Sequence, residues 1–598
     1  MNIAVIGIVI TLITAIPVVL QLRQHPRGLF ILFFAEMWER FSFYGMRGLL
    51  IFYLTQHFLF DDTFANGQYG TYNSLVYLLP LVGGFLADHY LGTRKAVAFG
   101  ALLLVAGHAT MAIEGAPATQ TLTYENAEYI FKVEGRGDAS QARLVVGDAT
   151  YAVASNGGDG GLAIKDLPPG APLPSVLPKG SYELSVKDRD PFYTGVFYLA
   201  LSLIVMGVGF LKPNISSLVG QLYPQTDPRR DAGFTLFYYG INLGAFWAAI
   251  LCGWLGQNVG WWAGFGAASI GMAAGFVVFV WGKPLLQGHG EPPDPVKLAK
   301  RVAGPVTLEW IIYALTLAGV AVVWFFVQRF ELVGYALIAG SIAVLGYLFH
   351  FMATQCTRAE AGRMALALFL ILFSVVFFTL FNQAGSSLNQ FAQRNTVLNL
   401  FGTSIAPAQT NSFNAGFILL LAPAFAAMWA YLEPRHLDPN APAKFGLGLL
   451  QVAAGFAVLV WAAQNFAGPD FRVPMIFMAL MYLLHTTGEL CLSPVGLSQM
   501  TKLSPAATVA TIMATWFLGS AWAGYVAALI ARLTAAQTVA GQVLDPGAAL
   551  QNYIAVFSSV AMWGAILGVV VLLLSPFLGR LDKPIDEPRA APTPAPGE

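Results

Sequence analysis

The chain has 598 residues, of which 56% are hydrophobic and only 11% charged, and its mean hydropathy is +0.63. Soluble domains carry about 25% charged residues, so the composition excludes an ordinary soluble protein and defines a polytopic membrane protein. Lys plus Arg number 32 and Asp plus Glu 32, so no bulk attraction to nucleic acid is implied.

The first apolar run, residues 3–20, lacks a basic start and a small-residue cleavage site, which argues against a signal peptide. An added helix, a surface-lying helix and an artefact of an upstream start all fit it. Beyond it, apolar runs long enough to span a bilayer recur between short polar turns. They cover roughly 28–58, 68–87, 96–114, 192–221, 233–254, 262–282, 306–328, 332–354, 365–391, 410–432, 445–465, 473–500, 507–532 and 551–577. The runs are continuous rather than alternating, which excludes a closed barrel. With the stretch before Arg27 in the cytoplasm, most Lys and Arg fall on cytoplasmic segments. Core N- and C-termini are therefore expected in the cytoplasm, in a bacterial-type inner membrane.

Two segments interrupt the array. Residues 115–191 are polar, and "YIFKVEG", "ARLVVGDATYAV" and "SYELSVKD" alternate apolar with polar residues. They predict a small β-rich extracytoplasmic insert. Residues 306–354 form a helical hairpin, reached through the linker "GHGEPPDPVKLAKR". Without the hairpin, six helices remain on each side. Six plus six with a long central connection is the major-facilitator architecture, all-α, whose halves move about a midplane site. The expected parts are an extension (1–27), a first six-helix bundle (28–114 and 192–283), and the insert (115–191). A linker with two extra helices (284–364), a second bundle (365–577) and a cytoplasmic tail (578–598) follow.

The stretch "FAEMWERFSFYGMRGLL" (34–50) places four charges inside an apolar helix. At about 100° per residue, Glu36, Glu39, Arg40, Phe43, Tyr44 and Arg47 share one stripe. Met37, Trp38, Phe41 and Gly45 take the other side, which is expected to face lipid. Each ionised side chain at the bilayer centre costs about 2.5–3.5 kcal/mol or more, so the stripe must pair or line a wet cavity. Glu36 and Arg40, four apart, suit a local ion pair. Arg47 has no acid one turn away and needs a partner from elsewhere. Lys212 is a further intramembrane cation, followed by Pro213, which is expected to bend or break its helix. Glu489 is a lone intramembrane carboxylate, with Ser493 one turn on. Cys252, Cys356 and Cys491 are isolated and show neither disulfide nor metal spacing. No nucleophile elbow, HExxH or P-loop is present, so an enzyme is not expected.

The pattern Glu36-x-x-Glu39-Arg40-Phe41-x-Phe43-Tyr44-Gly45 resembles the ExxER motif of the proton-dependent oligopeptide transporters. "GGFLADHYLGTRK" (83–95), "GVGFLKPNISSLVG" (207–220), "FTLFYYGINLGAF" (234–246) and "GELCLSPVGLS" (488–498) are similar, in order, to further signatures of that family. The resemblance implies a symporter of di- and tripeptides that uses protons as its coupling ion and needs no other cofactor. Its partners are then short peptides, protons and the bilayer, with the oligomeric state open and a monomer sufficient. It further implies that Arg47 and Lys212 hold a peptide's carboxylate and Glu489 its ammonium. Tyr44, Tyr77, Tyr238, Asn242, Asn414 and Trp516 match the family's pocket. Glu36, Glu39 and Arg40 then serve proton coupling, and Asp88 with Arg94 forms a cytoplasmic latch. One position departs from the pattern: the family often has an acid where Asn382 stands, and that acid helps to close the outer gate against the equivalent of Arg47. Rival expectations are the same fold with nitrate, an amino acid or an organic anion as cargo, and a peptide sensor that does not transport.

Overall fold

The structure, a computed structural model, describes residues 3–135, 140–156, 161–224, 226–400, 402–505 and 507–581, without the side chains of 303, 494, 495, 497 and 498. The expected C-terminal tail lies almost wholly outside the described residues. Within a bilayer every backbone polar group must find its partner in the protein, and the chain answers with long helices.

An N-terminal helix α1 (Ile3–Leu22) precedes the charged helix α2 (Arg27–Phe52), which ends in a wide turn at Tyr53–His57. Helix α3 (Asp62–Leu78) starts where the Asp61 side chain accepts from Phe64 N, and it resumes after Pro80 as Pro80–Leu86. The first bundle is completed by α4 (Gly92–Met111), α5 (Pro191–Gln221), α6 (Arg230–Asn258) and α7 (Trp261–Trp281). The hairpin is α8 (Leu308–Val327) and α9 (Phe330–Thr354). The second bundle contains α10 (Arg358–Phe381), opened by a Thr357/Glu360 capping box, and α11 (Ser412–Leu432). It continues through α12 (Ala441–Asn465), α13 (Met475–Leu503), α14 (Val509–Leu533) and α15 (Pro546–Leu578).

Thirteen helical stretches are long and apolar enough to cross a membrane; this count treats 62–111 as one stretch and omits Arg27–Phe52. The fourteen expected spans are all helical. Helix α1 is additional and packs on both bundles. Its Thr14 hydroxyl meets the Tyr239 hydroxyl at 2.8 Å, and Thr11 Oγ1 accepts from Trp247 Nε1 at 3.0 Å.

Two expectations are corrected. The side of α2 opposite its charges does not face lipid. Phe41, 7% exposed, packs with Ala248, Cys252 and Ala268 of α6 and α7, because α2 lies inside its bundle. At Gly244 a Cβ would stand 2.1 Å from Met37 O, so the missing side chain lets α6 close on α2. Nor does Pro213 break α5, which runs through it as one helix. Proline leaves the carbonyl four residues back without its helical donor. That carbonyl, Gly209 O, is covered by Gly83, where a Cβ would lie 2.1 Å away. The neighbouring helix packs tightly on α5 at this point.

The hairpin ties the halves together. Phe330 stacks on Tyr525 of α14 with ring centres 4.2 Å apart, and Trp522 Nε1 donates to Ser341 Oγ at 2.8 Å. On the first bundle, Lys95 pairs with Glu309 at 2.6 Å.

The insert is a seven-stranded antiparallel sheet: β1 (Thr119–Tyr124), β2 (Ala127–Glu134), β3 (Gln141–Val146), β4 (Ala149–Ser155), β5 (Leu162–Ile164), β6 (Val176–Leu177) and β7 (Glu183–Lys187), in the order β6-β5-β4-β3-β2-β1-β7. The β1–β2 turn places Glu125 and Asn126 at positive φ, as a two-residue hairpin with the right twist requires. Leu122, Phe131, Leu144 and Leu177 form its core. Val539, Ala540 and Leu544, from the loop between α14 and α15, belong to the same core. The insert leaves the chain within the first bundle and packs on the second.

Candidate functional site

A cavity of about 140 Å³ lies between the bundles. Tyr44 and Arg47 of α2 and Tyr238 and Asn242 of α6 line it from one side, Asn414 of α11 and Glu489 of α13 from the other. Six of the sequence candidates thus meet in one space. Arg47 donates from Nε to the Tyr69 hydroxyl at 2.7 Å and from Nη2 to Asn382 Oδ1 at 2.9 Å. The second bond joins the two bundles. Glu489 Oε2 accepts from Asn414 Nδ2 at 3.2 Å, and the same amide donates to Thr486 Oγ1 at 3.0 Å. Asn242 donates to Tyr238 O at 3.0 Å, which leaves its carbonyl oxygen as an acceptor.

The cavity therefore has a guanidinium on one bundle and a carboxylate on the other. Each keeps donor or acceptor capacity beyond the bonds just named. An elongated zwitterion matches that polarity.

Below Arg47 on α2, Glu36, Glu39 and Arg40 form a buried triad. Arg40 Nε lies 2.8 Å from Glu36 Oε1 and 2.7 Å from Glu39 Oε2. The second contact has the distance of an ion pair without the alignment of a hydrogen bond. Glu36 Oε2 and both Glu39 oxygens are buried with no hydrogen-bond partner among the described residues. Such atoms are expensive unless they carry or exchange a proton.

Four of the substrate-site candidates, Tyr77, Lys212, Ser493 and Trp516, stand outside the cavity lining. Lys212 Nζ lies 4.0 Å above the centre of the Tyr77 ring, a cation–π pair. Trp516 is 7% exposed and its ring lies against Gly496 of α13. Ser493 is half-buried one turn beyond Glu489. In the 83–95 loop Arg94 pairs with Glu291 of the linker through two contacts of 2.9 Å, while Asp88 is exposed. The linker, not Asp88, is the partner of Arg94.

Sequence reading missed a second inter-bundle contact. Asp62, at the start of α3, receives Arg394 in a bidentate pair at 2.6 and 2.8 Å. Gln390 Nε2 at 3.3 Å and Ala536 N at 2.9 Å complete its shell. Arg394 sits on a short helix, Ser387–Asn395, that follows a tight turn at Asn382–Gly385. The run "NQAGSSLNQFAQRN" carried a signal: eight polar side chains and an arginine directly after an apolar span. His485, 1% exposed, also lines the cavity, and neither ring nitrogen has a partner among the described residues.

Comparison with known proteins gives the family of the chain. The family model described as "POT family" matches residues 94–545. "Peptide transporter YePEPT" of Yersinia enterocolitica is 31% identical, over 85% of this chain and 87% of that protein. "Dipeptide and tripeptide permease A" of Edwardsiella piscicida is 27% identical, over 93% and 96%. Among solved structures, a point variant of "peptide transporter POT" in complex with alafosfalin superposes with a TM-score of 0.69 at 31% identity, over 94% of this chain and 96% of that one. The fold is that of a major-facilitator membrane transporter. The chain belongs to the POT family, and it is a multi-pass membrane protein.

Proposed function

We propose that the protein is a proton-coupled symporter that imports di- and tripeptides by alternating access. The observation that carries this reading is the pairing of Arg47 and Glu489 across one inter-bundle cavity. A peptide's carboxylate binds Arg47, bidentately where geometry allows, and its ammonium binds Glu489. Lys212, held over Tyr77 next to the cavity, adds positive charge on the Arg47 side. Asn242 and Asn414 take the peptide group between the termini. Because only termini and backbone are read, one site serves many side chains.

The relatives named as peptide transporters support the cargo. The Glu36/Glu39/Arg40 triad supports proton coupling. A carboxylate whose charge depends on a neighbouring arginine changes protonation when a movement changes that contact. In this reading the insert faces outward, the start of α2 and the end of α15 lie in the cytoplasm, and the membrane is a bacterial inner membrane. Asp62–Arg394 and Arg47–Asn382 then close the outer side, and the Arg94–Glu291 contact holds the cytoplasmic linker.

Uptake of labelled dialanine by proteoliposomes, with alanine and nitrate as competitors, tests the cargo. Accumulation that alanylalanylalanine suppresses, and that the other two leave unchanged, is expected. No accumulation of dialanine, with uptake of labelled nitrate or alanine in its place, would assign another cargo to the same fold.

A further inference from the structure

A second cavity, larger than the one between the bundles, opens elsewhere in the described residues. It encloses about 470 Å³ and lies beneath the insert. Residues on both bundles and on the insert line it: His57, Glu114, Gln120, Gln257, Gln393 and Gln542 among them. Among the described residues Glu114 is the single charged group of its lining.

Two buried polar atoms here have no partner among the described residues, Glu114 Oε2 and His57 Nε2. His57 is 3% exposed and its ring stacks on Tyr53, with centres 4.6 Å apart. A buried carboxylate oxygen without a donor calls for a cation, or for an N–H supplied from outside. The glutamines are partly committed. Gln257 Oε1 accepts from Ala408 N at 3.0 Å, and Gln120 Oε1 accepts from Ala540 N. Their amide N–H₂ groups have no partner among the described residues, which leaves donors for a carbonyl. Gln542 donates to Ser140 Oγ at 3.2 Å and keeps its oxygen.

We propose that this cavity is a second binding site for the amino-terminal end of a short peptide. Glu114 holds the ammonium, His57 takes a hydrogen bond beside it, and the Gln120 and Gln257 amides hold the first peptide carbonyl. Among the described residues that line the site no Lys or Arg offers a partner to a peptide's carboxylate, so the ammonium is the end that these residues recognise. Its position gives it a purpose. Gln393 precedes Arg394, His57 lies five residues before Asp62, and Gln542 belongs to the loop whose Ala536 bonds Asp62. A peptide docked here waits beside the buried ion pair between the bundles. The insert, whose role is otherwise unassigned, forms the roof.

This inference rests on the peptide reading of the central site, and one experiment separates the two. Equilibrium binding of labelled dialanine to the full-length protein in lipid nanodiscs is expected to give two sites per chain. Glu114→Gln should leave one, with the affinity of the central site retained, and that retained site reports an intact fold. Glu489→Gln should leave the other. N-acetyl-dialanine, which has no ammonium, should compete at neither Glu114 nor Glu489. A single site in the wild type that Glu489→Gln removes, or two sites persisting in Glu114→Gln, overturns the inference alone. No dialanine binding at all overturns the inference together with the function it rests on.

Discussion

Asp62 and Arg394 form a bidentate ion pair at 2.6 and 2.8 Å that joins the two bundles and is almost wholly buried, at 2% and 8% exposure. A buried pair adds little over a well-packed apolar one. Removing a single partner, however, leaves an uncompensated charge at about 3–5 kcal/mol. Arg394→Gln or Asp62→Asn is therefore expected to move the population towards a form open on the insert face. A thiol reagent that cannot cross membranes should label an Ala384→Cys probe in the central cavity faster in either variant than in the parent. The swap Asp62→Arg with Arg394→Asp should restore slow labelling only in part. The Ala536 N–H that now meets a carboxylate would then face a guanidinium.

Asn382 accepts from Arg47 at 2.9 Å. An amide makes this bond without titrating, so closure here is expected to be independent of pH. Asn382→Asp introduces an acid beside the guanidinium, and the pH profile of peptide uptake should change. An unchanged profile would mean that the position takes no part in coupling. Asn382→Leu removes the acceptor altogether and should cost about 1–3 kcal/mol through the unsatisfied guanidinium N–H, read as a lower melting temperature.

The charged stripe of α2 was legible because helical period and the cost of intramembrane charge act locally. Those two facts brought Tyr44 and Arg47 to the cavity before any tertiary contact was known. The Glu36–Arg40 pair follows from the same spacing. What the sequence hid is non-local. Asp62 and Arg394 are 332 residues apart, and neither sits in a pattern that reveals a partner. Glu291, in a charged linker, carried no sign that it would cap Arg94. The contact of the Trp516 ring with Gly496 is likewise non-local and had no sign in the sequence. Of the insert, β2, β3, β4 and β7 showed their alternation, whereas β5 and β6 are too short to show any. The sharing of its core with Val539 and Leu544 has no local signature either.

The Arg94 guanidinium holds the Glu291 carboxyl below its ordinary value of 4.5. A depressed carboxyl stabilises the fold above its unfolded value and loses that contribution as pH falls through the folded one. The difference in melting temperature between the wild type and Glu291→Gln is thus expected to be fully present above pH 4.5 and to shrink below it. Both groups are partly exposed, so the effect is small and falls with salt. A difference that grows on acidification would contradict the assignment.

Gly83 lies on the carbonyl freed by Pro213, with room for no side chain: a Cβ would stand 2.1 Å from Gly209 O. Gly83→Ala must push α3 and α5 apart, at about 1–3 kcal/mol for overpacking. Because Lys212 and Tyr77 sit on those two helices, uptake should fall along with thermal stability. The milder Gly84→Ala, which meets only the Pro213 ring at 3.7 Å, should leave both near the wild-type level.

The most direct test of the account measures labelled dialanine uptake in proteoliposomes under an inward proton gradient, with and without an uncoupler, for the wild type and Glu489→Gln. The account predicts accumulation above equilibrium in the wild type, its loss with the uncoupler, and no gradient-driven accumulation in the variant. Accumulation that survives both the uncoupler and Glu489→Gln would contradict the central claim that Arg47 and Glu489 clamp a peptide in a proton-driven cycle.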